Sequence, residues 1–586
     1  MEIFFSSKSR LQNTSFSLCW MFLRKMFVGL LFLLFSNVAW SQHGSREGFI
    51  SPMNIPLNLS GNFGEFRSNH FHTGIDIKTQ GTTGLPVFAC ADGYVSRIKI
   101  KPYGYGNALY IDHPNGYTTV CGHLKGFNAQ IDSFLVAAQY ELESWEVDLY
   151  PGPDQLPVKQ GDIVAYSGNS GSSGGPHVHF EIRETETEFP MNPLLWGFEV
   201  ADTRAPLLKG IQITPLSDSS LVLGSQQKQM FSTRSATGKV ALNRTSPIGV
   251  YGSFGIGVHT IDLLNNNSNV CGIYRLQIKM DGQVYYDQEI DQLDFAKLRF
   301  MNAHADYESL KKDRKSIHRG YRLPYNNLPI YKTITDDGSL VLYDDEEHLV
   351  EVSVWDVHGN ISSVAFKVQQ QKGSGERESE LLPQGAKLFR YDQVNTIRTD
   401  SCNVYVPEGR LYEDCFAWVT EVRGGGLGLS QHYEIGNGYE PLHEPIQVKL
   451  KVRESIPESL LDKLLLLQYN NGRYYAKGGD VKRGWLSSRV NSFGVYCIGV
   501  DTIAPSIKVR NSAKSKLSFT ITDDLSGIDR YEGRADGQWV RLHYDPKRAR
   551  LWYESSDGVI TPETRSFKLV VWDERGNQKE VEIDWE

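Results

Sequence analysis

Apolar and polar residues alternate in short runs between residues 55 and 202: Leu85-Pro-Val-Phe-Ala89, Gly93-Tyr-Val-Ser-Arg97, Ala108-Leu-Tyr-Ile-Asp112, Tyr117-Thr-Thr-Val120, Asp162-Ile-Val-Ala165 and residues 177–182, each bounded by glycine turns. A period of two sends successive side chains to opposite faces, so these runs predict an antiparallel sheet. Residues 126–156 break the rhythm. There Asp132-Ser-Phe-Leu-Val-Ala-Ala-Gln-Tyr-Glu141 predicts a short helix, and an acidic aromatic stretch leads on to Pro151-Gly-Pro153. An insertion of this length directly after His123 is expected to narrow substrate access or to form a lid.

The rest of the chain repeats a plan. Gly272-Ile-Tyr, Asp281-Gly-Gln283 and Val352-Ser-Val-Trp-Asp356-Val-His-Gly359-Asn360 correspond to Gly527-Ile-Asp, Asp536-Gly-Gln538 and Leu569-Val-Val-Trp-Asp573-Glu-Arg-Gly576-Asn577. The openings Asp202-Thr-Arg-Ala-Pro206 and Asp501-Thr-Ile-Ala-Pro505 correspond too. In both copies an alternating strand ends in Trp-Asp and turns through Gly-Asn into a last strand, as in the closing hairpin of immunoglobulin-like sandwiches. Neither copy shows a clustered His/Asp/Glu motif, so a spacer or partner-binding role without chemistry is expected of them. Residues 369–380 form a polar linker by composition, and residues 381–500 a further β-rich unit of uncertain type.

With 586 residues the chain exceeds what one hydrophobic core fills, roughly 250–300 residues. The 29 Tyr, 27 Phe, 11 Trp and 54 Gly favour strands and turns over disorder. A formal charge of -8 without a long basic block argues against nucleic acid as a partner. Arg24 and Lys25, the apolar run 26–35 and the small residues Ala39 and Ser41 predict a signal peptide over 1–41 that is cleaved before Gln42. No second long apolar run follows, so no transmembrane segment is expected in the mature chain. Beyond Cys19, Cys90 could pair with Cys121 and Cys402 with Cys415 in an oxidising compartment, although spacing does not fix connectivity.

Four segments carry the chemistry: His72-Thr-Gly-Ile-Asp76, Gly122-His123-Leu124, the glycine-serine run 168–175, and His177-Val-His179. On a strand, His177 and His179 share a face while Val178 and Phe180 enter the core. An isolated His-x-His is more often a surface or core pair. The set as a whole reads as an open zinc site, which uses three His or carboxylate ligands, a water position and further imidazoles to move protons. His70 is placed beside this set or in no role, and His113 in a structural turn. Arg67 suits a substrate carboxylate or an ion pair equally. Glu181 is expected to point away from the metal. The run 168–175 lacks the Gly-Lys-Ser or Gly-Lys-Thr ending of a phosphate loop and suits a wall of a peptide cleft.

The order and spacing of these segments, with Gly64-Glu-Phe-Arg67, Gly104-Tyr-Gly106, His113-Pro-Asn-Gly116 and His177-Val-His-Phe-Glu181, resemble the lysostaphin/LytM-type family of zinc peptidoglycan endopeptidases over about residues 61–197. The resemblance implies that His72, Asp76 and His179 hold one Zn2+ and that His123 and His177 flank its water, whose pKa falls to about 7. Cys121 departs from the aromatic residue often found before Gly-His-Leu, and the insertion after His123 is longer than in compact members.

The expectation is thus an all-β protein: an antiparallel metallopeptidase domain at 42–203, immunoglobulin-like sandwiches at 204–368 and 501–586, and the unit 381–500 between them. The resemblance implies a periplasmic or secreted metalloendopeptidase acting on peptidoglycan peptide stems, at the D-alanyl–diaminopimelyl cross-link, with envelope proteins as possible partners of the C-terminal domains. The alternatives are a non-enzymatic activator of other wall hydrolases and a peptidase acting on protein.

Overall fold

The computed structural model describes residues 48–585 apart from 237–238, 266, 372–381 and 425, so the expected signal peptide, its cleavage before Gln42 and most of the polar linker lie outside the described residues. The strand Ile361–Gln370 runs two residues into that linker. One compact unit takes in Phe49–Leu194 and Phe198–Glu586. The fold is all-β, and no described helix is long and apolar enough to cross a membrane.

The N-terminal domain is built on one antiparallel sheet in which His177–Glu184 lies between Ile75–Lys78 and Tyr117–Gly122, followed outward by Asn107–Asp112 and Gly93–Ile100. Val178, Phe180 and Ile182 alternate into the core with Ile75, Ile77 and Val120, all fully buried. Each such side chain contributes about 1.5–3 kcal/mol of burial. The pairing puts His179 opposite Asp76 on one side and Gly122 on the other. Three of the four segments singled out by sequence are therefore neighbours in the sheet.

The helix of the insertion spans Ala129–Glu141, three residues earlier than predicted, because Asn128 caps it by accepting from the Ile131 N–H at 2.9 Å. Ile131, Leu135 and Gln139 form its buried face at i, i+4 spacing. That helix is a platform for the last domain. Arg541 donates to Gln139 Oε1 at 2.9 Å, Tyr140 donates to Asp557 at 2.9 Å, and the Tyr140 and Trp539 rings meet edge to face at 5.3 Å.

Each remaining domain encloses its core between two sheets. The first holds Ile211, Ile256, Ile278, Val352 and Phe366; the second Val404, Val448, Leu466 and Tyr496; the last Phe519, Leu542, Phe567 and Val571. The repeat read from sequence has its physical counterpart in two hairpins. Asp281-Gly282 and Asp536-Gly537 both turn with positive φ at the two central residues (49° and 79°, 46° and 84°), the conformation that two-residue hairpins favour.

The cysteine pairings considered from sequence are not formed, since all six described cysteines are free and buried. Burial holds them as thiols, pushing Cys121 and Cys402 up to about 12.

A seam joins the first two domains. Phe63 and Phe71 share a buried cluster with Ile290, Leu293 and Met301, and Phe66 lies 4.4 Å from the His318 ring. Beside it the Asn62 amide donates to Gly272 O and accepts from Gly272 N, both at 2.8 Å. Asn62→Ala deletes both bonds, and a denaturant melt of the full chain is expected to show a loss of about 1–3 kcal/mol.

Candidate metal centre

Three acceptor atoms converge where the sheet brings the segments together. His72 Nε2 lies 3.0 Å from His179 Nδ1 and 3.1 Å from Asp76 Oδ1, and His179 Nδ1 lies 3.0 Å from Asp76 Oδ1. Tetrahedral ligands at about 2.0–2.1 Å from zinc stand roughly 3.3 Å apart, so a shift of a few tenths of an ångström fits them to an ion. The outer nitrogens are already engaged. His72 Nδ1 faces Asn62 O at 2.8 Å and His179 Nε2 faces Glu181 Oε1 at 2.7 Å, so each ring keeps its proton on the far side and aims a lone pair inward. Three acceptors so close repel one another unless a proton or a metal ion lies among them. The residues present therefore suit a metal, and all three side chains are buried.

Asp76 is the electrostatic hub. Burial raises its carboxyl, but His72, then His177 and His179, hold it well below the usual carboxylate range. Its second oxygen accepts from Arg67 Nη2 at 2.7 Å, and Glu65 pairs with the same guanidinium. Arg67 thus orients the Asp76 carboxylate in this structure. Burial lowers His179, yet Asp76 and Glu181 together push it up to about 9 when no metal is bound. The metal must displace that proton, so metal affinity is expected to rise with pH up to about pH 9 and then level off, measurable by metal titration at stepped pH.

His123 and His177 stand beside the hub with ring centroids 4.7 Å apart. His123 leaves the strand at φ 59°, a left-handed conformation that costs a non-glycine residue about 1 kcal/mol or more. Its Nδ1 faces Ser170 O at 2.9 Å. Nδ1 of His177 faces Gly175 O at 2.9 Å and Ser173 Oγ at 3.1 Å, which leaves Nε2 3.4 Å from Asp76 Oδ1. The glycine-serine run therefore sets the tautomers of both flanking imidazoles. Burial, then His179 and His177, pushes His123 down to about 3, so this ring is neutral near pH 7.

The expectation for Glu181 is corrected. Glu181 lies within the strand His177–Glu184, and positions 177, 179 and 181 share one face. Its fully buried carboxylate also accepts from Thr73 at 2.6 Å, Arg183 at 2.6 Å and Tyr105, whose ring stacks on His179 at 4.9 Å. Glu181→Gln is expected to weaken metal binding about 10–100-fold, checked by competition with a chromogenic chelator. Glu181 was accessible to parity counting, whereas Tyr105 comes from the turn between the strands Gly93–Ile100 and Asn107–Asp112, where alternation says nothing about its direction. His70 is exposed and bonded to the Ser68 carbonyl; His113 is buried with Nδ1 on Asp92 O and Nε2 on Thr119, as a structural residue. Gly74 has a packing reason, because a Cβ there would sit 2.3 Å from Phe180 O.

The expectation that the repeated domains hold no acidic cluster is also corrected. Asp202, Asp356 and His358 converge in one repeat and Asp501, Asp523 and Asp573 in the other, from positions far apart in sequence.

Residues 70–139 match Peptidase family M23, and residues 386–501 match the Zu5-like domain. The chain is 35% identical over 123 residues to the DD-carboxypeptidase/endopeptidase Mpg of Neisseria meningitidis serogroup B, covering 21% of this chain and 22% of that one. It is 34% identical over 111 residues to the peptidoglycan DD-endopeptidase ShyB of Vibrio cholerae, covering 19% and 20%. The match thus spans about a fifth of the length of these curated relatives. Among solved structures, the catalytic domain of the prophage-encoded M23 protein EnpA from Enterococcus faecalis is 26% identical, with 26% of this chain and 98% of that chain covered and a TM-score of 0.19.

Proposed function

From the premise that the N-terminal domain belongs to the lysostaphin/LytM-type family of metallopeptidases, M23, we propose that this protein is a zinc metalloendopeptidase that cleaves peptide cross-links of bacterial peptidoglycan. The observation that carries the reading is the triangle of His72 Nε2, Asp76 Oδ1 and His179 Nδ1 at 3.0–3.1 Å, with the far nitrogen of each imidazole already bonded. Two nitrogens and one carboxylate oxygen form a donor set that suits zinc. Zinc bound there supplies Lewis acidity at an amide carbonyl and an acidified water near neutral pH.

The chain's own residues do the rest. His123 and His177, held through Nδ1 by the glycine-serine run, present Nε2 to take a proton from the attacking water and to return one to the leaving amine. Arg67 and Glu181 hold Asp76 and His179 in place. The D-alanyl–diaminopimelyl bond is the proposed target, with export past the cytoplasmic membrane and cleavage before Gln42. The immunoglobulin-like assignment of 204–368 and 501–586 belongs to the same proposal and rests on two sheets around one core in each.

The test is digestion of purified diaminopimelate-type muropeptide dimers by the protein from Gln42 onward, read by mass spectrometry. Conversion of dimers to monomers with a new amine on diaminopimelate is expected. Intact dimers together with cleavage of a glycine-rich protein would overturn the substrate assignment.

A further inference from the structure

The glycine-serine run that sets the tautomers of His123 and His177 is held by two different domains. Its first half is fastened inside the N-terminal domain, to the turn between Gly93–Ile100 and Asn107–Asp112. Ser170 Oγ accepts from Asn107 N at 3.0 Å. Ser172 donates through N to Gly104 O at 2.8 Å and accepts through Oγ from Gly104 N at 3.0 Å. Backbone lies on backbone here, since a Cβ on Gly171 would stand 2.3 Å from Gly106 N. Ser170 O, the partner of His123 Nδ1, is thus fixed by local packing.

The second half lacks that support. Gly174 and Gly175 have open space where a Cβ would stand, and glycine gives up more backbone freedom on ordering than any other residue. Yet the acceptors for His177 lie here. Its Nδ1 faces Gly175 O at 2.9 Å and Ser173 Oγ at 3.1 Å, and Ser173 Oγ also donates to Gly175 O at 2.8 Å. Among the described residues, the group that reaches this half from elsewhere in the chain is Lys547 of the last domain, whose Nζ donates to Ser173 O at 3.1 Å and to Asn169 O. An ammonium offers three donors, so it can bridge carbonyls near the two ends of the run.

Lys547 is presented on a stiff base. It lies in the turn between Leu542–Asp545 and Arg550–Tyr553, where Asp545 Oδ1 accepts from Lys547 N at 3.0 Å and Asp545 O accepts from Arg548 N at 3.2 Å. Pro546 fixes φ beside it. Arg541, immediately before the first of these strands, holds the hairpin to the insertion helix through Gln139 at 2.9 Å.

We propose that Lys547 is a positioning residue for the metal centre: by bridging Asn169 O and Ser173 O it keeps Ser173 Oγ and Gly175 O in place for His177, so that the last domain completes the proton-handling site of the first. The catalytic consequence rests on the role given to His177 under the proposed function; the anchoring of the run does not. His123, whose half of the run is pinned locally, is left in place when Lys547 is lost.

The test compares the zinc-loaded full-length wild type with Lys547→Met, which keeps the stem and removes the donors, and with Lys547→Arg, which restores donors. Hydrogen exchange read by mass spectrometry is expected to quicken at least about threefold in Lys547→Met over the segment that holds the Gly175 and His177 amides. Exchange in residues 104–107 and in the helix Ala129–Glu141 should not change, which shows that the last domain stays docked. On muropeptide dimers kcat is expected to fall about tenfold with KM within about twofold and zinc content unchanged, as for a misplaced proton-transfer group. Lys547→Arg should recover most of both. Unchanged exchange over 173–177, an unchanged kcat, loss that Lys547→Arg does not reverse, or faster exchange in the helix as well, overturns the proposal. A wild type that cleaves no dimer overturns the proposed function instead, and the exchange comparison then decides by itself whether Lys547 holds the run.

Discussion

Replacing His179 by alanine is expected to leave a folded chain that holds no metal at the centre and has lost at least about 10³-fold in kcat/KM on cross-linked muropeptides. The magnitude follows from the several kcal/mol of transition-state stabilisation that a metal Lewis acid supplies, at tenfold per 1.36 kcal/mol. His179 is the residue most exposed to this test because it sits at the crossing point of the site: its Nδ1 faces both His72 and Asp76, and its Nε2 faces Glu181. The fold is expected to survive, since Glu181 keeps Thr73, Tyr105 and Arg183 as donors after the imidazole is gone. Circular dichroism and metal analysis of the variant separate loss of metal from loss of structure. A variant that keeps both metal and activity would remove His179 from the ligand set.

The second large effect lies far from the metal. Arg541 is 5% exposed on its side chain, pairs with both oxygens of Asp557 at 2.8 and 2.6 Å and reaches across to Gln139 on the insertion helix at 2.9 Å. Arg541→Ala leaves a buried carboxylate with Tyr140 as its remaining side-chain donor, a change that costs about 3–5 kcal/mol. It also unfastens the last domain from the N-terminal one, where Lys547 Nζ reaches Asn169 O and, at 3.1 Å, Ser173 O on the same run that positions His177. Thermal melts should show the destabilisation, and limited proteolysis should cut between the domains in the variant only. Arg541→Lys is expected to rescue little, because an ammonium cannot span two carboxylate oxygens and an amide at once. Unchanged stability would mean that this contact does not hold the domains together.

These two results sit at opposite ends of what could be read from the chain. The five candidate residues His72, Asp76, His123, His177 and His179 each sit in a short segment whose spacing has a structural meaning, and the fold brings them together. Alternation fixes the faces of a strand, and the pairing of His179 with Asp76 and Gly122 brings those segments side by side. The same alternation places Glu181 on the face of His177 and His179, against the expectation that it points away. Contacts made across long separations left no trace in local pattern. Gln139 meets Arg541 over 402 positions and Asn62 meets Gly272 over 210, so neither the docking role of the insertion nor the bracing of His72 by the next domain could be inferred from periodicity. The repeated hairpins were legible from Asp-Gly and Trp-Asp-x-x-Gly-Asn, whereas the meeting of Asp202 with Asp356 and His358, from positions far apart in sequence, is a product of folding. The cysteines mislead for a related reason. Even number and plausible spacing suggest pairs, but in this fold each thiol is a buried packing group.

The measurement that bears most directly on the account is a zinc titration of chelator-stripped full-length protein with muropeptide dimer cleavage as the readout. Activity is predicted to rise from zero and to reach its plateau at one zinc per chain, while Asp76→Ala stays flat at every ratio. Cleavage by the stripped protein without added zinc, or full recovery in Asp76→Ala, would contradict the assignment of His72, Asp76 and His179 as the centre of the chemistry.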